Sequence, residues 1–85
     1  MTATVSLRLA RGERIKQLRR SRCMSAAGLA RAVGVTRSAI FRIEQGLNGI
    51  SDETLVNVAE VLGVSVSALY EAPEPVERDC LGRAV

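Results

Sequence analysis

A chain of 85 residues and 9.1 kDa allows one domain with one small core, and leaves no room for a catalytic domain beside a recognition domain. Its 47% apolar and 25% charged residues fit neither collagen, coiled coil nor wholesale disorder, and its longest apolar runs fall far short of the roughly 20 residues a membrane-spanning helix needs. The net charge of +3 hides a polarity: residues 1–43 hold ten basic side chains against the single acid Glu13, whereas residues 44–85 hold eight acids against Arg78 and Arg83.

Helix caps and the 3.6-residue period divide the chain. Residues 1–8 are expected to form a flexible arm, in which Arg8, with Arg11 and Arg14 beyond it, interrupts the only stretch that could serve as a secretory leader. The chain is therefore expected to be cytoplasmic. A first helix is predicted from about Leu9 to Arg22, with Ile15 and Leu18 inward and Met24 behind them. Ser25 caps a short second helix whose stripe is Leu29, Ala30 and Val33, and Gly34 supplies its left-handed stop.

Thr36 caps a third helix, Arg37 to Gln45, with Ile40 and Ile43 inward and Gly46 at its end. Ser51 caps a fourth, with Asp52 and Glu53 at the positive end of the helix dipole and Leu55, Val58, Ala59 and Leu62 at helical spacing before Gly63. Ser65 caps a fifth containing Val66, Leu69 and Tyr70, which stops before Pro73 and Pro75. Residues 73–85 are expected to be a flexible tail. No segment alternates apolar and polar residues long enough for a strand, so the reading is an all-α, compact bundle of five helices over residues 9–72. Helices this short are not stable alone and must be held by packing.

A basic half-chain attracts polyanions, and each phosphate neutralised on DNA releases counterions. The connection around Gly34 to Thr36 is short and opens with glycine, which suits two helices crossing at a wide angle, a helix-turn-helix. The outer face of the third helix is then Arg37, Ser38, Phe41, Arg42 and Gln45. Two arginines with a hydroxyl between them suit a major groove, where each can make two parallel hydrogen bonds to guanine O6 and N7. The chain contains no histidine, and its two cysteines lie 57 positions apart. The usual zinc fingers and histidine-based nucleophile triads are thereby excluded. Neither catalysis, a metal, nor any other cofactor is expected, and Cys23 and Cys80 are read as two unpaired thiols.

The stretch Gly12 to Glu71 resembles the helix-turn-helix domain of the lambdoid phage repressor and Cro family, also called Xre-like. The matching motifs are Arg14-Ile15-Lys16-Gln17-Leu18-Arg19, Met24-Ser25 with Leu29-Ala30, and Gly34-Val35-Thr36-Arg37-Ser38-Ala39-Ile40. They continue with Arg42-Ile43-Glu44-Gln45-Gly46 and end with Leu55, Ala59 and Leu62-Gly63-Val64-Ser65. The resemblance implies a five-helix lambda-repressor-like fold, and a dimer bound to a palindromic double-stranded DNA operator to regulate transcription. Carried over by position, Thr36, Arg37, Ser38, Phe41 and Arg42 face the groove and Asn48 belongs to a loop that grips phosphate. Arg19 pairs with Glu44 and points its guanidinium at the DNA backbone. A lone carboxylate beside DNA would repel phosphate unless a cation neutralised it, which gives that pair a physical reason.

Gln45 and Ser25 are further phosphate candidates, and Arg8, Arg11, Arg20, Arg22 and Arg31 are weaker ones. Val66, Leu69 and Tyr70, with Leu47 and Ile50, are the apolar surface assigned to a homodimer contact, with core packing as their competing role, above all for Leu69. No small-molecule effector site is evident, and no membrane contact is expected.

The departures from the family pattern are informative. Ala26 stands where a Gln usually opens the second helix, and Gly28 replaces a usual Glu, at a mid-helix cost of about 1 kcal/mol relative to Ala. Cys23 stands where Gly commonly ends the first helix in a left-handed turn, so either strain is tolerated or the turn differs. The loop after Gly46 has no Lys or Arg. Phe41 could touch a thymine methyl or pack inward. Two other readings of the same features are a protein-interaction module, such as an antitoxin-like partner, and a thiol redox sensor built on Cys23.

Overall fold

The computed structural model describes residues 2–76, 78 and 80–84, with side chains from Leu7 onward. Among these residues, four α-helices run α1 (Thr2–Ser21), α2 (Ala26–Val33), α3 (Arg37–Glu44) and α4 (Asp52–Leu62), followed by a 3-10 segment, Val66–Tyr70. The predicted caps form as expected at three helices. Ser25 accepts from the Gly28 amide at 2.9 Å, Thr36 from Ala39 at 3.0 Å and Ser51 from Thr54 at 3.3 Å. Each satisfies one of the amides that a helix start leaves without a partner.

Ile15, Leu29, Ile40, Val58 and Leu69 are fully buried at the centre, with Leu18, Ile43, Leu55 and Leu62 around them. Each such side chain contributes about 1.5 to 3 kcal/mol on leaving water. α2 packs on both α3 and α4, while α1 braces α3 on one side and the 3-10 segment on another. α1 approaches α3 closely at Gly12, where a Cβ would collide with the Ile43 carbonyl oxygen and stand 2.7 Å from that of Glu44. A mid-helix glycine costs helix stability, and here it lets two backbones touch.

The fifth element departs from expectation: it is five residues of 3-10 helix rather than an α-helix. Ser65 makes no side-chain cap, its hydroxyl pairing with that of Ser67 at 3.0 Å instead, and Glu71 is already extended ahead of Pro73. Pro73 steers the residue before it out of the α region, which stops the run early, and a 3-10 turn is the form such short pieces take. α1 also begins at Thr2, so the expected arm is drawn into the helix. Residues 2–8 contain no Gly or Pro, and once α1 is nucleated by its packed half each added residue gains a hydrogen bond at little cost.

The tail is laid across α1. The Gln17 side-chain amide pairs twice with the Glu74 backbone, donating to its carbonyl and accepting from its N–H, both at 2.9 Å. Arg14 meets Glu71 at 3.3 Å and Glu74 at 3.8 Å, and Arg78 bridges to Ala84 in a small antiparallel turn. This fold-back brings the two cysteines together, which corrects the reading of two unpaired thiols. Cys23 and Cys80 form a disulfide, their Cα atoms 5.4 Å apart, inside the span a disulfide bridges.

Cys23 resolves a second question. Its φ is 55°, the left-handed conformation usually left to glycine, and the Met24 amide reaches back to the Arg19 carbonyl at 3.1 Å. The Val35 amide makes the corresponding bond to the Ala30 carbonyl at the end of α2, where Gly34 takes φ 91° without a Cβ penalty. The family turn is kept at Cys23 and its strain is tolerated.

Candidate nucleic-acid interface

The connection from α2 to α3 is three residues, Gly34 to Thr36, and it sets the two helices as a helix-turn-helix. Ile40 is fully buried and Ile43 nearly so, and these two anchors press one side of α3 into the core. The opposite side carries Arg37, Ser38, Phe41, Arg42 and Gln45, all exposed. Among the described residues, no carboxylate or carbonyl takes the guanidinium of Arg37 or Arg42. Phe41 is 57% exposed, so it stands out with the arginines rather than packing inward. Thr36 is exposed, with its hydroxyl oxygen already accepting the Ala39 amide and its proton left to donate.

Arg19 and Glu44 meet as expected. Nε and Nη2 donate to the two carboxylate oxygens at 2.7 and 3.0 Å, and Nη1 donates to the Met24 carbonyl at 2.9 Å. The carboxylate is 6% exposed and the guanidinium 12%. A bidentate Arg–carboxylate pair of this kind is among the stronger polar contacts a protein makes. It ties the last turn of α1 to the end of α3 and, through Met24, to the start of α2, so one side chain fixes both helices of the motif. Three of five guanidinium N–H groups are used internally, which leaves two for any phosphate.

The other candidates divide. Ser25, Gln45 and Asn48 are exposed, Ser25 also serving as the cap of α2. Leu69, expected on a dimer surface, has no exposure and belongs to the core, because the 3-10 turn directs it at α1 and α4. Val66 is half-buried against the core, as is Ile50, while Leu47 and Tyr70 are exposed. The Arg11 guanidinium lies 5.2 Å from the centre of the Tyr70 ring, a cation–π arrangement.

Arg8 had only a minor place in the sequence reading, yet its guanidinium lies over Gly49 in the loop after α3. No local pattern announces such a contact between residues 41 positions apart. The one signal was negative: a phosphate loop without a cation of its own. Gln17 was likewise visible only as part of a motif, although its buried amide holds the tail.

The helix-turn-helix family model HTH_3 matches residues 15–69. The chain belongs to that family. None of the curated proteins matches it. Among solved structures, it is similar to the biofilm master regulator SinR in complex with DNA, at 39% identity and a TM-score of 0.69, covering 72% of this chain and 98% of that one. The clp gene regulator ClgR from Corynebacterium glutamicum is 30% identical with a TM-score of 0.72, covering 74% and 67%. The DNA-binding domain of the P22 c2 repressor is 29% identical with a TM-score of 0.69, covering 73% and 82%. The HTH_3 match ends at Leu69, so Arg8, Gly12 and the folded-back tail lie outside it.

Proposed function

We propose that this HTH_3 protein is a sequence-specific DNA-binding transcriptional regulator, a repressor or autoregulator acting in the cytoplasm without catalysis, which binds a palindromic operator as a homodimer. The observation that carries the reading is the outer face of α3, where Arg37 and Arg42 stand exposed and without partners among the described residues on a helix anchored by Ile40 and Ile43. Long cations held ready in this way complement the acceptor atoms of guanine in a major groove. Ser38 and Thr36 add hydroxyl donors, and Phe41 offers an apolar contact to a thymine methyl.

Phosphate contacts fall to Asn48, Gln45 and Ser25 on the rim of this face, and to the two unspent N–H groups of Arg19. One subunit of this size covers one half-site, so a second copy supplies the other, with half-site centres about 34 to 36 Å apart. Tyr70, the exposed part of Val66 and Leu47 are the apolar positions available to that contact. Selection of bound fragments from random duplexes tests the reading. The expected outcome is an enriched two-fold symmetric motif. Absence of both enrichment and salt-dependent duplex binding would reject it in favour of a protein-interaction module on the same fold.

A further inference from the structure

The chain that leaves a helix seated in a groove must climb over the groove's wall, and that wall is the sugar–phosphate backbone. In this protein the climbing segment is Leu47-Asn48-Gly49-Ile50, which contains no Lys or Arg. α1 brings one to it. A Cβ built on Gly49 would stand 3.4 Å from Nη2 of Arg8 and 3.6 Å from its Nε, so the guanidinium lies directly over this residue. The Arg8 side chain also borders Asn48 and Ile50 in a small crevice shared with Arg11. Among the described residues no carboxylate pairs with Arg8, although the same helix commits Arg14 and Arg19 to glutamates.

We propose that Arg8 and the Asn48–Gly49 loop form one phosphate-binding site, with the charge supplied from α1 and the neutral donors from the loop. The inference rests on the DNA-binding reading above and adds a residue that lies outside the family match. The missing loop cation is replaced from a different element, α1.

The test is equilibrium binding of the full-length protein and of its Arg8→Ala and Arg8→Lys variants, on a random-sequence duplex and on a selected operator, between about 50 and about 200 mM salt. One lost phosphate contact lowers the slope of log affinity against log salt by about 0.9, so Arg8→Ala should lose about 3.5-fold less affinity than the parent across that range. It should be weaker on both duplexes by the same factor at low salt, leaving discrimination unchanged, and Arg8→Lys should restore the slope. Thermal unfolding of each variant fixes the temperature below which all are folded, and binding is read there. A slope and affinity equal to the parent's would overturn the site while leaving the DNA-binding reading intact, as would a loss confined to the operator. Failure of the parent to bind either duplex would overturn both.

Discussion

Arg14 and Arg19 of α1 and the arginines of α3 are the same residue put to opposite uses. On α1, Arg14 is 13% exposed and spends its guanidinium on the Ala68 carbonyl, Glu71 and Glu74, while Arg19 spends most of its own on Glu44 and the Met24 carbonyl. On α3, Arg37 and Arg42 are exposed and without such partners among the described residues. Charge along the sequence does not separate the two sets. What separates them is where the acids go: Glu44, Glu71 and Glu74, all from the acidic half, fold back onto α1. Among the described residues, the cations left without a carboxylate include Arg37 and Arg42 on α3 and Arg8 on α1. A net charge of +9 over residues 1–43 is thus partly a structural asset and only partly a binding surface.

Breaking the Arg19–Glu44 pair should destabilise the fold strongly, and removing the α3 arginines should leave it folded but less discriminating. The largest effect is expected from Glu44→Ala, which leaves the nearly buried Arg19 cation without its counter-ion. Removing one partner of such a pair costs about 3 to 5 kcal/mol, a large part of the stability of a domain this size. Chemical denaturation should show the midpoint falling accordingly, and an unfolding free energy within about 0.5 kcal/mol of the parent's would mean that the pair does not hold α1 to α3.

Reduction of the Cys23–Cys80 disulfide comes next. A cross-link closing a loop of this length is worth about 2 to 4 kcal/mol, so a dithiol reductant should lower the melting temperature of the parent and leave that of Cys80→Ser unmoved. An equal response of both would place the reductant's effect elsewhere.

Arg37→Ala is expected to change stability by less than about 0.5 kcal/mol. It should relax base preference at one position of each half-site by about 1 to 3 kcal/mol. Chemical denaturation reads the first quantity, and competition binding against single-base variants of the operator reads the second. The smallest effect belongs to Arg14→Met, since Glu71 and Glu74 are more than half exposed and exposed pairs contribute about 0 to 1 kcal/mol. A loss well above that range in thermal unfolding would mean that the tail is held chiefly through Arg14 rather than through Gln17 and the disulfide.

Local chemistry made the helix-turn-helix legible in the sequence. Ser25, Thr36 and Ser51 act within three residues of themselves, Gly34 and Gly63 end helices by their own backbone freedom, and Ile40 and Ile43 follow the helical period. The Arg19–Glu44 pair, 25 positions apart, is implied by the family resemblance, and the need of a lone acid among arginines for a counter-ion gives it a physical reason. The remainder depends on distant segments meeting. Nothing around Gln17 announces that its amide will pair with Glu74, 57 positions away. The meeting of Cys23 with Cys80 follows from the same fold-back. Leu69 shows the limit of periodicity: an apolar residue near the chain's end suits a core or an interface equally, and the 3-10 turn that buries it depends on the prolines beyond and on the packed surface before.

The most direct measurement of the central claim is selection of duplexes from a random pool by the parent protein and by an Arg37→Ala, Arg42→Ala double variant that remains folded. The parent should enrich a palindromic motif with guanines at fixed places in each half-site, and the variant should bind duplex with the motif flattened at those places. The same motif, recovered with equal information from both proteins, would contradict it.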